Sequence, residues 1–159
     1  IGSAVPEKRW PAEGFADVAD YFGNKGYKTI FFGGPMDLEM VQPVVDKMKT
    51  TPIVATGAFT IGTLAAAMKW CDLLITNDSG PMHVGISQGV PIVALYGPSN
   101  PFFYGPYQAK SIVLESMDNY EIGKSMKQVI KEGKYKGISV ITTEQVIKAA
   151  ETLLDEYKR

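Results

Sequence analysis

The chain has 159 residues, 45% of them hydrophobic, which is enough for one domain with a single hydrophobic core. Its formal net charge of −1 provides no global basic field for nucleic acid, so any anion must be bound by local groups. One cysteine and one histidine exclude a Cys/His zinc site, and Cys71 without a disulfide partner fits a reducing compartment. No apolar run approaches the roughly 20 residues of a membrane span, and no segment reads as a signal peptide. We expect no metal, no cofactor and no transmembrane segment.

Helix-period and strand-type segments alternate almost from end to end. Continuous apolar runs predict strands over 29–32, 52–55, 72–75, 91–96 and 111–114. Helices are predicted from Pro11 to Gly26, around 40–48 (where Pro43 either kinks the helix or delays its start), after Thr60, around 80–87, and from Thr142. Thr142 and Gln145 fit a capping box. The helix after Thr60 is expected to face inward with Ile61, Leu64, Ala65 and Met68, and the segment 117–137 has no clear period.

This alternation predicts the fold class. Strands that are apolar on both faces, separated by helices, indicate a parallel sheet covered on both sides. We therefore predict an α/β, Rossmann-like, doubly wound domain over residues 1–159, which binds ligands at the carboxyl ends of its strands. Ile1 to Ala4 read as the end of a strand, so we also expect this chain to be a piece of a longer protein.

The segment 76–83, Thr-Asn-Asp-Ser-Gly-Pro-Met-His, is the most informative motif. It follows a predicted buried strand and leads into a helix, so free backbone N–H groups and the positive end of the helix dipole meet at the sheet's carboxyl edge. Ser79 adds a hydroxyl, Gly80 allows a ligand to approach the backbone, and His83 falls in the first helical turn. This pattern indicates a phosphate site, although Asp78 and Ser79 could equally be helix caps and His83 an ordinary surface or core histidine.

Three further loops follow strand ends at the same edge. Residues 2–11 carry small residues and a Lys-Arg pair before a helix, residues 33–39 combine glycines with Asp37 and Glu39, and residues 97–101 read Gly-Pro-Ser-Asn-Pro. A cation suits a phosphate, and a carboxylate suits ribose hydroxyls. Each loop alone is compatible with an ordinary solvated turn, but four on one edge favour a ligand site. No nucleophile elbow, Walker motif or Gly-x-Gly-x-x-Gly occurs.

The ordered set Gly-Ser…Lys-Arg-Trp-Pro, Phe-Phe-Gly-Gly-Pro, Thr-Asn-Asp-Ser-Gly-Pro-Met-His and Leu-Tyr-Gly-Pro-Ser resembles the lipopolysaccharide heptosyltransferases of glycosyltransferase family nine. The resemblance covers about residues 1–107 and the last helix, and it implies the carboxyl-terminal half of a GT-B enzyme. That half holds a nucleotide-sugar, usually ADP-heptose, while an amino-terminal domain holds a lipid-linked saccharide acceptor and the general base. The family inverts at the anomeric carbon without a metal and works at the cytoplasmic face of the inner membrane.

The resemblance also implies roles for individual residues. Ser3 and Lys8 would contact the diphosphate, Asp37 or Glu39 would accept from the ribose, and Asp78 would hold its loop and touch the sugar. Ser79 and the Gly80 N–H would bind phosphate, and Lys8 and His83 would stabilise the leaving group. No catalytic base is expected in this chain, so we expect it to bind the donor without transferring sugar. Any membrane contact would belong to the amino-terminal domain.

Three alternatives remain open at this point. A non-catalytic nucleotide-binding module would keep the fold and the phosphate site without turnover. A related GT-B enzyme, such as a sugar-nucleotide epimerase, would share the architecture, although the Lys-Arg-Trp-Pro motif disfavours it. A receiver domain would need clustered acidic residues where this chain has Gly2-Ser3-Ala4.

Overall fold

The computed structural model describes residues 1–117, 124–133 and 135–157. The strands are β1 (Ile30–Phe31), β2 (Ile53–Val54), β3 (Leu74–Asn77), β4 (Ile92–Tyr96) and β5 (Ser111–Glu115). The helices are α1 (Ala12–Asn24), α2 (Leu38–Val45), α3 (Ile61–Met68), α4 (Gly80–Ser87), α5 (Pro101–Tyr104), α6 (Met126–Lys131) and α7 (Thr143–Glu156), with 3₁₀ turns at Pro6–Lys8, Pro35–Asp37 and Ile138–Val140. Within the described ranges, no helix combines the length and apolarity needed to cross a bilayer.

The centre of the fold is the parallel sheet β3–β4–β5. Every residue of β4 is buried, and its side chains alternate between two cores. Val93 and Leu95 pack on the side of α1 and α7, whereas Ile92 and Ala94 belong to the core beneath Met82 of α4. Because successive side chains of a strand point to opposite faces, this strand needs apolar residues throughout. The prediction of a Rossmann-like, doubly wound sheet is confirmed.

The strands β1 and β2 form a separate parallel pair. An apolar cavity of about 440 Å³ lies between β1 and β3, and Ile1, Phe31 and Leu74 are among its lining residues. The segment predicted as a strand end, Ile1 to Ala4, has no assigned strand, although the Ile1 carbonyl accepts a hydrogen bond of 2.5 Å from Asn77 Nδ2. The first residues of the chain therefore lie beside β3 without completing a ladder.

The prediction that β2 is covered on both sides is wrong. Ile53 and Val54 are 53% and 45% exposed, and Ile61, expected to face inward from α3, is 79% exposed. The helix α3 packs against α4, and Met68 is its one buried residue. An apolar pattern shows that a side chain can be buried, but not whether another element reaches the edge strand that carries it.

Helix boundaries follow local signals. α2 starts at Leu38, so Pro43 does not delay the helix but lies inside it, and the helix ends at Val45 before the expected Met48. The capping box of Thr142 with Gln145 is confirmed at the start of α7. A second capping box, Ser125 with Gln128, begins α6 inside the segment for which no period was recognised. Part of that segment, residues 118–123 and 134, lies outside the described residues.

Trp10 of the Lys-Arg-Trp-Pro motif is a core residue. Its side chain is 4% exposed, its Nε1 donates to the Ile141 carbonyl at 2.8 Å, and its ring meets Phe15 edge-on at 5.1 Å. Its backbone N–H donates to Asn77 Oδ1 at 3.2 Å. These contacts fix the segment that precedes α1 against the carboxyl end of β3.

Gly14 in α1 makes this packing testable. A Cβ at Gly14 would lie 2.5 Å from the Trp10 ring, whereas a Cβ at Gly62 in α3 would have no atom within 4 Å. We expect Gly14→Ala to lower the free energy of unfolding by about 1–3 kcal/mol through overpacking. Gly62→Ala should raise it by about 0.5–1 kcal/mol, the usual helix preference for alanine. Urea denaturation measures both, and a stabilising Gly14→Ala would contradict the packing described for Trp10.

Candidate functional site

A buried network of three side chains joins three loops at the carboxyl edge of the sheet. Lys8 Nζ lies 2.5 Å from Asp78 Oδ2, and Ser99 Oγ donates to the same oxygen at 2.7 Å. The side chains of Lys8 and Asp78 are 17% and 6% exposed, and Ser99 is buried. A buried carboxylate needs such partners, because its desolvation is expensive unless charge and hydrogen bonds compensate it. The network fixes the direction of the Lys8 ammonium beside the start of α4.

The amino end of α4 presents unused donors. Ser79 is its N-cap residue with extended backbone, and the Ser79 hydroxyl makes no capping hydrogen bond. Among the described residues, none accepts a hydrogen bond from the N–H of Ser79 or Gly80, as expected for the first residues of a helix. Gly80 faces open space, since a Cβ there would meet no atom within 4 Å. His83 is exposed and belongs to the first turn.

The loop that carries Lys8 is held by its own backbone contacts. Ser3 is buried, its hydroxyl accepts from the Val5 N–H at 3.2 Å, and its carbonyl accepts from Arg9 Nε at 2.8 Å. Ser3 therefore stabilises the turn, which is a role the sequence did not indicate. The Arg9 guanidinium is tied to the same turn, so Lys8 is the cation that this loop presents at α4.

Gly97 and Tyr135 contact the backbone of this loop at Glu7 and Lys8. A Cβ at Gly97 would lie 2.8 Å from the Glu7 carbonyl oxygen and 3.5 Å from Lys8 Cα, so only glycine permits the turn to approach the end of β4. The Tyr135 hydroxyl donates to the Glu7 carbonyl at 2.5 Å. Burial raises the pKa of the Tyr135 hydroxyl, which keeps it protonated as a donor. Tyr135 lies in the segment 117–137, whose sequence has no clear period.

Asp37 and Glu39 follow β1 at the same edge. Asp37 Oδ2 accepts from the Gly34 N–H at 2.7 Å, and the Asp37 side chain lies so close to Gly2 that a Cβ there would overlap it. Asp37 thus joins the loop after β1 to the start of the chain, and one of its oxygens is already engaged. Glu39 is exposed in the first turn of α2. Among the described residues, neither Asp37 nor Glu39 forms a hydrogen bond or ion pair with the Lys8 network, so the structure brings them to the same edge without joining them to it.

The assembled site is suited to an anion. It combines a fixed ammonium, two free backbone N–H groups, a free hydroxyl and the positive end of a helix dipole. Within residues 1–117, 124–133 and 135–157, no cluster of acidic, histidine and cysteine side chains has the arrangement of a metal site. Ser99, whose loop the sequence singled out without a role for the residue itself, proves to be part of the network.

The parallel sheet with helices on both faces, and a helix N-terminus at its carboxyl edge, defines the class of Rossmann-like α/β domains. Comparison with protein families is more specific. The model of glycosyltransferase family 9 (heptosyltransferase) matches residues 2–136, and the chain belongs to this family.

Individual relatives agree with this assignment. The chain is similar to lipopolysaccharide heptosyltransferase 2 of Escherichia coli strain K12, with 31% identity over 94% of this chain and 43% of that protein. The solved structure of a family 9 glycosyl transferase from Veillonella parvula has a TM-score of 0.93 and 81% identity, covering 98% of this chain and 44% of that one. E. coli ADP-heptose lps heptosyltransferase II has a TM-score of 0.84 and 27% identity over 99% and 46%. The chain therefore spans less than half the length of the relatives it matches.

Removing one partner of the Lys8–Asp78 ion pair should destabilise the fold. Lys8→Ala leaves Asp78 buried without its charge partner, and we expect the free energy of unfolding to fall by about 3 kcal/mol. The double variant Lys8→Ala/Asp78→Asn should recover part of that loss, because it removes the uncompensated charge. Lys47→Ala, which breaks the exposed Lys47–Glu13 pair, is the matched control and should leave the urea midpoint nearly unchanged. Equal effects of Lys8→Ala and Lys47→Ala would show that the network does not stabilise the fold.

Proposed function

We propose that this chain is the carboxyl-terminal, donor-binding half of an inverting GT-B glycosyltransferase. Its donor is ADP-heptose, and its acceptor is a lipid-linked saccharide of the lipopolysaccharide core. The observation that carries the proposal is the convergence of Lys8, Asp78 and Ser99 on the amino end of α4, in a chain of the heptosyltransferase family. The nucleotide follows the name of the similar E. coli enzyme, ADP-heptose lps heptosyltransferase II.

The diphosphate occupies the edge between the Lys8 loop and α4. Ser79 donates its hydroxyl, the Ser79 and Gly80 N–H groups point at phosphate oxygens, and Lys8 keeps two ammonium protons free after bonding Asp78. His83 approaches from the first turn of α4. The ribose lies towards the loop after β1, where exposed Glu39 accepts hydrogen bonds from its hydroxyls more readily than Asp37, whose Oδ2 already accepts from the Gly34 N–H.

These groups also serve the chemistry. When the bond between the sugar and the diphosphate breaks, negative charge builds on the leaving phosphate. Donors that are already fixed stabilise that charge without reorganisation, and one well-placed group is worth on the order of 3 kcal/mol. Lys8, His83 and the α4 amides therefore act as leaving-group stabilisers, and the mechanism assigns them no role as acid or base.

The remaining functions belong to the rest of the protein. The general base that deprotonates the acceptor hydroxyl, and the acceptor site itself, are placed in an amino-terminal domain across a cleft. The relatives are more than twice as long as this chain, which leaves room for such a domain. The enzyme acts in the cytoplasm, and any contact with the inner membrane is made through the amino-terminal domain.

Calorimetric titration tests the donor site. We expect the chain to bind ADP more tightly than UDP, with the same affinity in the presence of EDTA. Ser79→Ala should weaken ADP binding about tenfold, roughly 1.4 kcal/mol, because a hydrogen bond to a charged phosphate is lost. Ser87→Ala is the matched control at the opposite end of α4, where the hydroxyl donates to the Val84 carbonyl and accepts from Gln88 Nε2, and it should leave the affinity unchanged.

Other results would revise the proposal in defined ways. Tighter binding of UDP would keep the site but contradict the ADP-sugar donor. Equal losses in Ser79→Ala and Ser87→Ala would show that the helix responds as a whole and that Ser79 does not contact phosphate. If neither nucleotide binds even when the amino-terminal domain is present, the edge is not a nucleotide site.

Transfer activity provides a separate test. The chain alone should release no ADP from ADP-heptose in the presence of acceptor, because the base lies in the other domain. The two-domain protein should transfer, and Lys8→Gln in it should lower kcat about a hundredfold through the loss of transition-state stabilisation. Folding of that variant is checked by circular dichroism. Unchanged kcat in Lys8→Gln would contradict a role for Lys8 at the leaving group.

A further inference from the structure

Four aromatic side chains are exposed on α5 and the loop that follows it. Phe102, Phe103, Tyr104 and Tyr107 are 74%, 54%, 57% and 58% exposed, and we call them the aromatic surface. The Phe102 and Phe103 rings contact each other edge-on at 5.3 Å. Single exposed apolar residues are common, but a contiguous group of large rings marks a binding surface.

The backbone beneath the aromatic surface is fixed by contacts with its cap and with the core. Asn100 caps α5 by accepting from the Phe102 N–H at 2.8 Å. The hydroxyl of the fully buried Tyr96 donates to the Tyr104 carbonyl at 2.6 Å. A Cβ at Gly105 would overlap the Pro101 carbonyl, so the turn after α5 is closed tightly. These contacts fix the backbone that carries the rings, so no backbone freedom needs to be lost when the rings bind a ligand.

The aromatic surface borders the candidate phosphate site. Lys8 Nζ lies 5.8 Å from the centroid of the Tyr104 ring, within the range of a cation–π contact. Ser99, two residues before α5, donates to the same Asp78 oxygen that binds Lys8. A group attached to a phosphate held by Lys8 therefore has Tyr104 as a neighbour.

The order of elements along the sheet edge decides which group that is. The loop after β1, with Asp37 and Glu39, lies on one side of β3, because β1 and β3 line the same cavity and Asp37 packs on Gly2 near the end of β3. On its other side β3 pairs with β4, which α5 follows. The proposed function puts ribose at the first of these and the diphosphate at α4, which follows β3. The group on the far side of the diphosphate from the ribose is the sugar, so the sugar is directed towards α5.

We infer that the aromatic surface, through Tyr104, binds the sugar ring of the nucleotide-sugar donor; this inference rests on the proposed function. The C–H face of a sugar ring is apolar and carries partial positive charge, so it packs on the negative face of an aromatic ring. The same ring lies beside Lys8, so one side chain meets both the cation that binds the phosphate and the sugar next to it. Tyr104 is thus a specificity residue for the donor sugar.

The test compares ADP with ADP-heptose in the intact protein, meaning this chain with the amino-terminal domain that the proposed function gives it. Tyr104→Ala should weaken ADP-heptose binding about tenfold while changing ADP binding less than twofold. Tyr104→Phe keeps the ring and should retain most of the affinity for both. Trp70→Ala is the control, since Trp70 is an 83% exposed ring that precedes β3 at the opposite end of the strand from the site.

Any other outcome would overturn either this inference alone or the proposed function together with it. Equal weakening of ADP and ADP-heptose by Tyr104→Ala would show that Tyr104 acts on the phosphates through Lys8 and not on the sugar. No change with either ligand would assign the aromatic surface to another partner, such as the facing domain. In both cases ADP still binds and the proposed function stands. If the unmodified protein binds neither ligand, the proposed function fails, and this inference with it.

Discussion

The ion pair between Lys8 and Asp78 is the interaction on which the site depends. It joins a turn near the start of the chain to the end of β3, 70 residues away, and Ser99 connects the end of β4 to the same oxygen. A buried pair of this kind adds little net stability relative to an apolar pair, but breaking it by removing one partner costs about 3–5 kcal/mol. The three loops are therefore held in one arrangement, and that arrangement places an ammonium beside the amino end of α4.

Core residues next to the three loops stabilise this arrangement. Trp10 anchors the segment between the Lys8 turn and α1 by donating to Asn77 and to the Ile141 carbonyl, and Gly97 lets the turn approach β4. The motif Lys-Arg-Trp-Pro thus combines residues of different kinds: Lys8 belongs to the site, Arg9 ties its own turn, and Trp10 belongs to the core. The aromatic surface is built by the same device, because Tyr96 of the central strand fixes α5 through its hydroxyl.

Much of the fold could be predicted from local signals. The continuous apolar run of β4 indicated a strand buried on both faces, and the box of Thr142 with Gln145 indicated where α7 begins, because both signals depend on neighbours along the chain. The box of Ser125 with Gln128 is a signal of the same kind, but it lies in a polar stretch without a clear period. The cover over β2 could not be predicted, since it depends on where α3 lies in space, and the structure packs α3 against α4.

The candidate site also has some features that local sequence signals predict and others that depend on packing. That Ser79, Gly80 and His83 follow a buried strand at the start of a helix could be read from the chain alone, because a strand-to-helix junction leaves free donors wherever it occurs. The pairing of Lys8 with Asp78, the hydrogen bond from Ser99 and the position of Tyr104 beside the site emerge only when the chain is folded. The same holds for Ser3 and one oxygen of Asp37, which serve their own turns. Most of these roles arise from contacts between loops that are distant in sequence. Hydrogen-bonding capacity belongs to a residue type, but the partner that uses it is chosen by packing.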